Sequence, residues 1–165
     1  MDPILFNSSF GLKLGVSQVV AEIIRFMKDD PRRKYKITIG TDSELMADKH
    51  ADFVTAIVVH RVGNGGRYFW RQFKLGNFYT LRDRIIREVM ISLDAAKDIL
   101  AALEDASKTE GDTLTWDFEI HADVGANGPT KDLIQEVVGM IRAYNFEART
   151  KPLSYAASNV ADRHV

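Results

Sequence analysis

Four acidic side chains stand where a fold, not a local motif, can bring carboxylates together. They are Asp42 in Gly40-Thr41-Asp42-Ser43, Glu88 within a long helical stretch, Asp123 in His121-Ala122-Asp123-Val124-Gly125, and Asp162 in Ala161-Asp162-Arg163. Asp42 and Asp123 end apolar, strand-like runs, and Asp162 opens a last turn. Carboxylates fixed on rigid elements and aimed at one spot repel each other. A divalent cation with hard oxygen ligands relieves that repulsion. The spacing therefore suggests a Mg²⁺ or Mn²⁺ site held by Asp42, Glu88, Asp123 and Asp162.

Each acid also has a plainer reading. Along a strand alternate residues share a face, so Thr38, Gly40 and Asp42 point together, with Gly40 leaving room for a ligand or for backbone. Asp42-Ser43 equally suits the start of a turn. Glu119, His121 and Asp123 share one strand face, and Phe118, Ile120 and Ala122 the other. The turn Gly125-Ala126-Asn127-Gly128 then leads to a helix start near Pro129, whose N–H groups could receive a phosphate. Asp123 is otherwise a capping acid in an ordinary strand-to-helix turn. Glu88 lies at the margin of its helix's apolar stripe, where it faces a cleft or makes an edge ion pair with Arg84 or Arg87. Asp162 taken alone is part of a short tail.

Two of the four histidines join the acids. His121 shares a face with Asp123 and His164 follows Asp162, so either can assist proton transfer. His50 and His60 read as surface or strand residues, and no zinc spacing occurs. Gly-x-Ser-x-Gly and Walker A sequences are absent. Without cysteine there is no disulfide, thiolate metal site or cysteine nucleophile.

The elements that must position these groups follow from periodicity. Residues 17–29 predict a helix, with Val19, Val20, Ile23, Ile24 and Met27 on one face, Ser17 as cap and Pro31 beyond the end. Residues 35–42, 52–62 and 67–75 predict three strands, the last two joined by the turn Gly63-Asn64-Gly65-Gly66. Residues 80–105 predict the strongest helix, with Leu81, Ile85, Val89, Ala96, Leu100 and Leu103 in a stripe and Thr80 as cap. A polar loop over 106–112, a strand over 114–123, a helix from Pro129 to Asn145, a short strand over 146–151 and one to three helical turns after Tyr155 complete the order. This is an α/β pattern.

The chain has 165 residues, 45% hydrophobic and 27% charged, which suits one domain. No apolar run is long enough to span a bilayer, and Met1 to Gly15 shows no secretory pattern, so a cytoplasmic protein is expected. A formal net charge of −1 argues against a generic nucleic-acid coat. It leaves room for a local basic rim drawn from Arg82, Arg84, Arg87, Lys131, Arg142, Arg149, Lys151 and Arg163.

Taken together, Gly40-Thr41-Asp42-Ser43, Phe53-Val54-Thr55-Ala56-Ile57, Gly65-Gly66-Arg67-Tyr68-Phe69, His121 through Gly128, Lys151-Pro152, Ala156-Ala157-Ser158 and Ala161-Asp162-Arg163 resemble the ribonuclease-H-like superfamily. Within it they resemble a small bacterial family named after YkuK. The resemblance covers nearly the whole chain. It implies one ribonuclease-H-like domain over 1–165: a five-stranded mixed sheet ordered 3-2-1-4-5 with helices on both faces. Residues 1–33 would be an added helical extension packed on it.

The resemblance further implies that Asp42, Glu88, Asp123 and Asp162 bind two divalent ions for hydrolysis of a nucleic-acid phosphodiester, with His121 or His164 tuning the site. The substrate would be RNA, DNA or a hybrid. Two other readings stand beside this one. The first is a nucleotide-phosphate binder, from the faint likeness of Asp123-Val124-Gly125 and Thr130 to a phosphate loop. The second is a catalytically silent binding module presenting Tyr68, Phe69, Trp70 and Phe73, which otherwise serve core and cross-strand packing.

Overall fold

The computed structural model describes residues 4–109 and 114–165. Its strands are β1 (Leu5–Ser8), β2 (Lys13–Gly15), β3 (Tyr35–Leu45), β4 (Ala51–Arg61), β5 (Gly66–Leu75), β6 (Asp117–His121) and β7 (Glu147–Arg149). Its longer helices are α1 (Val16–Asp29), α2 (Leu81–Thr109) and α3 (Ile134–Ala143). A π-helical turn, Ala156–Ala161, and a 3₁₀ turn, Asp162–His164, form a C-terminal helical segment.

All strands join one sheet ordered β2-β1-β5-β4-β3-β6-β7. The run β5-β4-β3-β6-β7 is the expected 3-2-1-4-5 core. β3 pairs antiparallel with β4 and parallel with β6. α1, α2 and α3 cover the face that carries Ile37, Ile39, Ile57, Val59 and Ile120, where the main hydrophobic cluster sits. Each fully buried Ile or Leu there contributes roughly 1.5–3 kcal/mol. The C-terminal segment covers part of the other face, with Ala161 packed on Val54 and Ala56.

The sheet has seven strands because residues 5–15 are not helical. Ser8 Oγ accepts the N–H groups of Phe10 and Leu12 at 3.3 and 3.1 Å, and Gly11 takes a positive φ of 81°. These close a hairpin whose first strand pairs with the edge of β5 at Asn7↔Trp70 and Ser8↔Phe69. Strands of four and three residues are too short to carry a readable alternation. The helical part of the expected extension is α1 alone, with its five expected residues buried. Its cap is Gly15, not Ser17, and Gln18 Oε1 accepts the Gly15 N–H at 2.9 Å.

Other boundaries shift for local reasons. β3 runs to Leu45, so Asp42-Ser43 lies inside a strand and the reversal comes at Met46 to His50, with Lys49 at φ 72°. α2 continues to Thr109, through half of the expected polar loop; residues 110–112 of that loop lie outside the described residues. Thr80 caps it as expected, accepting the Asp83 N–H at 3.0 Å. Ile99 replaces Leu100 among its buried residues. α3 starts at Ile134 after a 3₁₀ turn, because Thr130 Oγ1 accepts the Gly125 N–H at 3.1 Å and folds that stretch back on its own loop.

Candidate active site

β3 divides its residues between two environments. Thr41 and Ser43 point toward α2: Thr41 Oγ1 shares hydrogen bonds with Thr55 at 3.0 Å and with Ser92 at 2.7 Å. Ser43 Oγ donates to Glu88 Oε1 at 2.6 Å, and Arg84 donates to both Ser43 O and Ser43 Oγ at 3.0 Å. Glu88 is thus a buried carboxyl held by a strand hydroxyl, not an exposed edge ion pair. Burial above all pushes its pKa well up. The Ser43 bond opposes this, the charges of Asp42 and Asp123 add to it, and Arg84 opposes it.

Asp42 points to the opposite face, with Gly40, and is only 8% exposed. Burial first, then a hydrogen bond with the Asp162 carboxyl and the charge of Asp123, push its pKa up to about 7. Asp123 lies two residues past the end of β6. Its Oδ1 accepts from Ser158 Oγ at 2.8 Å and pairs with Lys151 Nζ at 3.1 Å. Asp162 is exposed at the start of the last turn and meets Asp42 there. Acids from β3, α2, the loop after β6 and the C-terminal segment therefore act on one another electrostatically. The raised Asp42 and Glu88 mark buried carboxyls with further negative charge beside them.

The C-terminal segment that brings Asp162 is seated by contacts on β3, β6 and β5. A Cβ on Gly40 would lie 2.4 Å from Ala157 N, so the space beside Asp42 is filled by backbone. Ala156 N donates to His121 Nδ1 at 3.1 Å, and the Tyr155 ring meets His121 edge-on at 4.6 Å. His164 stacks on Trp70 with ring centres 4.1 Å apart.

The two histidines hold the C-terminal segment at its two ends, His121 from β6 and His164 on β5. With Nδ1 accepting, His121 carries its proton on Nε2, which faces Glu119 Oε1 at 3.7 Å. Burial lowers its pKa to about 4, so the ring is neutral near pH 7. His164 lies over β5, two strands from Asp42 in the sheet order. The β5 aromatics divide by alternation: Phe69 is buried in the main cluster and Phe73 stacks on Phe53, while Trp70 lies under His164.

Of the basic residues named from sequence, Arg84 and Lys151 reach the site. Arg149 pairs with Glu119 at 2.9 Å, and Arg82 pairs with Glu136. Sequence reasoning missed the partners Ser43 and Ser158. Alternation along β3 was the available signal for Ser43, because it sends that hydroxyl toward the helix that carries Glu88. Ser158 stands in the Ala156-Ala157-Ser158 motif, but nothing in that motif pointed to Asp123 as its partner.

Carboxylate oxygens alone are what a hard divalent cation takes, and the elevated carboxyls fit such a group chemically. Among the described residues, however, no group of three or more His, Asp or Glu side chains is arranged to hold a metal ion. Each carboxyl is turned to a partner of its own: Glu88 to Ser43, Asp123 to Ser158 and Lys151, and Asp42 to Asp162. A cavity of about 200 Å³ lies under α2, lined by Phe6, Val16, Thr55 and Phe73 among others, and none of the four acids lines it.

A mixed 3-2-1-4-5 sheet with acids gathered beside its first strand defines a ribonuclease-H-like protein. The chain belongs to the Ribonuclease H-like family, which it matches over residues 18–165. It is also similar to YkuK, an uncharacterized protein of Bacillus subtilis (strain 168), at 35% identity over 170 residues, covering 98% of this chain and 97% of the relative. No solved structure matches the chain. The family match begins at residue 18, so the β1–β2 hairpin lies outside it. No described helix is long and apolar enough to cross a membrane.

Proposed function

We propose that this protein is a divalent-metal-dependent nuclease that hydrolyses phosphodiester bonds in RNA, DNA or a hybrid of the two. One observation carries the reading: Asp42 and Glu88 are raised by burial first and then by neighbouring acids, Asp162 and Asp123 acting on Asp42, and Asp42 and Asp123 on Glu88, with Asp42 reaching about 7. Asp42 and Asp123 would be the central ligands, and Glu88 and Asp162 would complete the site. Bound there, Mg²⁺ or Mn²⁺ supplies an activated water and neutralises charge on the leaving oxygen.

The remaining roles fall to the chain's own side chains. Ser43, steadied by Arg84, aims the Glu88 carboxyl. His121 is a positioning residue that holds the backbone of Ala156, and with it the segment that carries Asp162. His164 anchors the end of that segment on Trp70. The same proposal treats residues 1–165 as one domain, for which a single cooperative unfolding transition is the check. A sequence free of cysteine suits a cytoplasmic enzyme.

A second reading, a nucleic-acid-binding module without catalysis, draws on the ion pair and hydrogen bond that already satisfy Asp123. One experiment separates the two. Mn²⁺ is titrated calorimetrically into wild type and Asp123→Asn without nucleotide, and labelled RNA, DNA and hybrid are then incubated with each. Binding and cleavage by wild type, both lost in the variant, are expected. Retention of nucleic acid without cleavage by wild type, in Mn²⁺ and in Mg²⁺ alike, favours the second reading and overturns the first.

A further inference from the structure

Lys151 stands out among the basic residues around the acids. Arg84 is spent on Ser43, Arg149 on Glu119 and Arg82 on Glu136, whereas the Lys151 ammonium sits directly on Asp123 Oδ1 at 3.1 Å. Its stem lies against Gly125, where an added Cβ would fall 2.9 Å from Lys151 Cβ and 3.3 Å from its Cδ. Its N–H donates to Val124 O at 2.8 Å. The backbone and stem are therefore fixed beside the acid loop, while the side chain as a whole is 49% exposed. The ammonium neutralises the same carboxylate that a divalent cation would draw on.

We propose that Lys151 is a charge-exchange residue. It is the counter-ion of Asp123 in the cation-free protein and a contact for the substrate phosphate once a divalent ion has taken Asp123. The inference rests on the nuclease reading. Lys151 and Ser158 both bind Oδ1, and a divalent ion on either oxygen of the same carboxylate would sit a few ångströms from the ammonium and repel it, which favours its release. With its stem held against Gly125, the released head stays within a side chain's reach of Asp123. A phosphate drawn to the same place is the strongest available acceptor for it. Lysine suits this exchange because its head is a compact point charge on a flexible stem, with no fixed fork to satisfy.

The test uses the full chain with Lys151→Gln, which removes the charge and keeps most of the length, and Lys151→Arg, which keeps the charge. In a Mn²⁺ titration without nucleic acid, Lys151→Gln is expected to bind roughly threefold tighter than wild type, the size of a half-exposed ion pair. Lys151→Arg should stay near wild type. In Ca²⁺, which takes the same oxygen ligands, binding of a labelled oligonucleotide is followed by anisotropy across a salt series. Lys151→Gln should bind more weakly, with a log–log salt slope shallower by about 0.7–0.9, the loss of one phosphate contact.

A merely structural lysine would leave that slope unchanged. Cation binding by Lys151→Gln that equals or falls below wild type overturns the counter-ion role. An unchanged slope, or no oligonucleotide binding by wild type, overturns the phosphate role. Failure of wild type itself to bind Mn²⁺, with or without oligonucleotide, overturns the nuclease reading and this inference with it. Normal Mn²⁺ binding and cleavage by a Lys151→Gln variant indistinguishable from wild type overturns this inference alone.

Discussion

Gly40 of β3 and Ala157 of the C-terminal segment meet backbone to backbone. A Cβ on Gly40 would lie 2.4 Å from Ala157 N and 2.8 Å from Ala156 C. Backbone cannot yield as a flexible side chain does, so this contact fixes how close the segment carrying Asp162 comes to Asp42. Gly40→Ala is expected to destabilise the protein by about 1–3 kcal/mol, the range for overpacking. Urea denaturation measures the loss. Hydrogen exchange should show residues 156–164 losing protection first, and unchanged protection there would mean that other contacts hold the segment.

Asp42 and Asp123 differ in what surrounds them, so neutralising each has a different effect. Asp42→Asn removes a buried charge opposed by Asp162 and Asp123. It should stabilise the cation-free protein at pH 8 by about 1–2 kcal/mol, less than the shift alone would imply because solvent and ions screen Asp162. Asp123→Asn relieves the same crowding but loses the Lys151 ion pair, and should be close to neutral. Thermal melts without metal check both. A melting temperature of Asp42→Asn equal to or below that of wild type would contradict crowded acids.

Ser43→Ala takes the hydrogen-bond donor from a buried carboxyl. A loss of about 1–3 kcal/mol is expected, the cost of leaving such a group unsatisfied. Glu88→Gln keeps an acceptor for Ser43 without the charge, so it should melt at or above wild type while abolishing metal-dependent cleavage. Parallel melts and cleavage assays of the two variants separate support of Glu88 from chemistry by Glu88.

The pH dependence of stability contains opposing limbs, the raised Asp42 and Glu88 on one side and the lowered His121 on the other. Asp42, raised from 3.8 to about 7, binds its proton more tightly when folded. Its contribution is full below about pH 4 and is lost as pH rises through 7. His121, lowered from 6.5 to about 4, binds its proton less tightly when folded. Its contribution is full above about pH 6.5 and is lost as pH falls through 4. Between those values the slopes have opposite signs and offset one another. Removing the Asp42 contribution by Asp42→Asn, with that of Glu88 still in place, should make the slope of stability against pH more positive than in wild type in urea titrations from about pH 4 to 7. A variant curve parallel to wild type would show that Asp42 has no raised pKa.

Long elements were legible because their periodicity repeats. α1, α2 and strands β3 to β5 each carry enough residues for a face to declare itself, and Thr80 marks the start of α2. The β1–β2 hairpin was not legible. Seven strand residues around Ser8 and Gly11 carry no period, and the edge of β5 on which β1 pairs lies more than sixty positions away, at Asn7↔Trp70. The start of α3 was misplaced because Thr130 bonds back to Gly125 instead of leading into the helix.

The sequence by itself determined which acids stand beside strand ends and helix margins, because alternation and 3.6-residue spacing are local properties of the chain. Only the tertiary structure decided what those acids touch. Asp42 meets Asp162 across 120 positions, Glu88 takes a hydroxyl from Ser43 at 45, and Asp123 takes one from Ser158 at 35. Pairings at such separations follow from how the sheet, α2 and the C-terminal segment pack. Packing of that kind depends on close contacts such as Gly40 against Ala157, which no local pattern encodes.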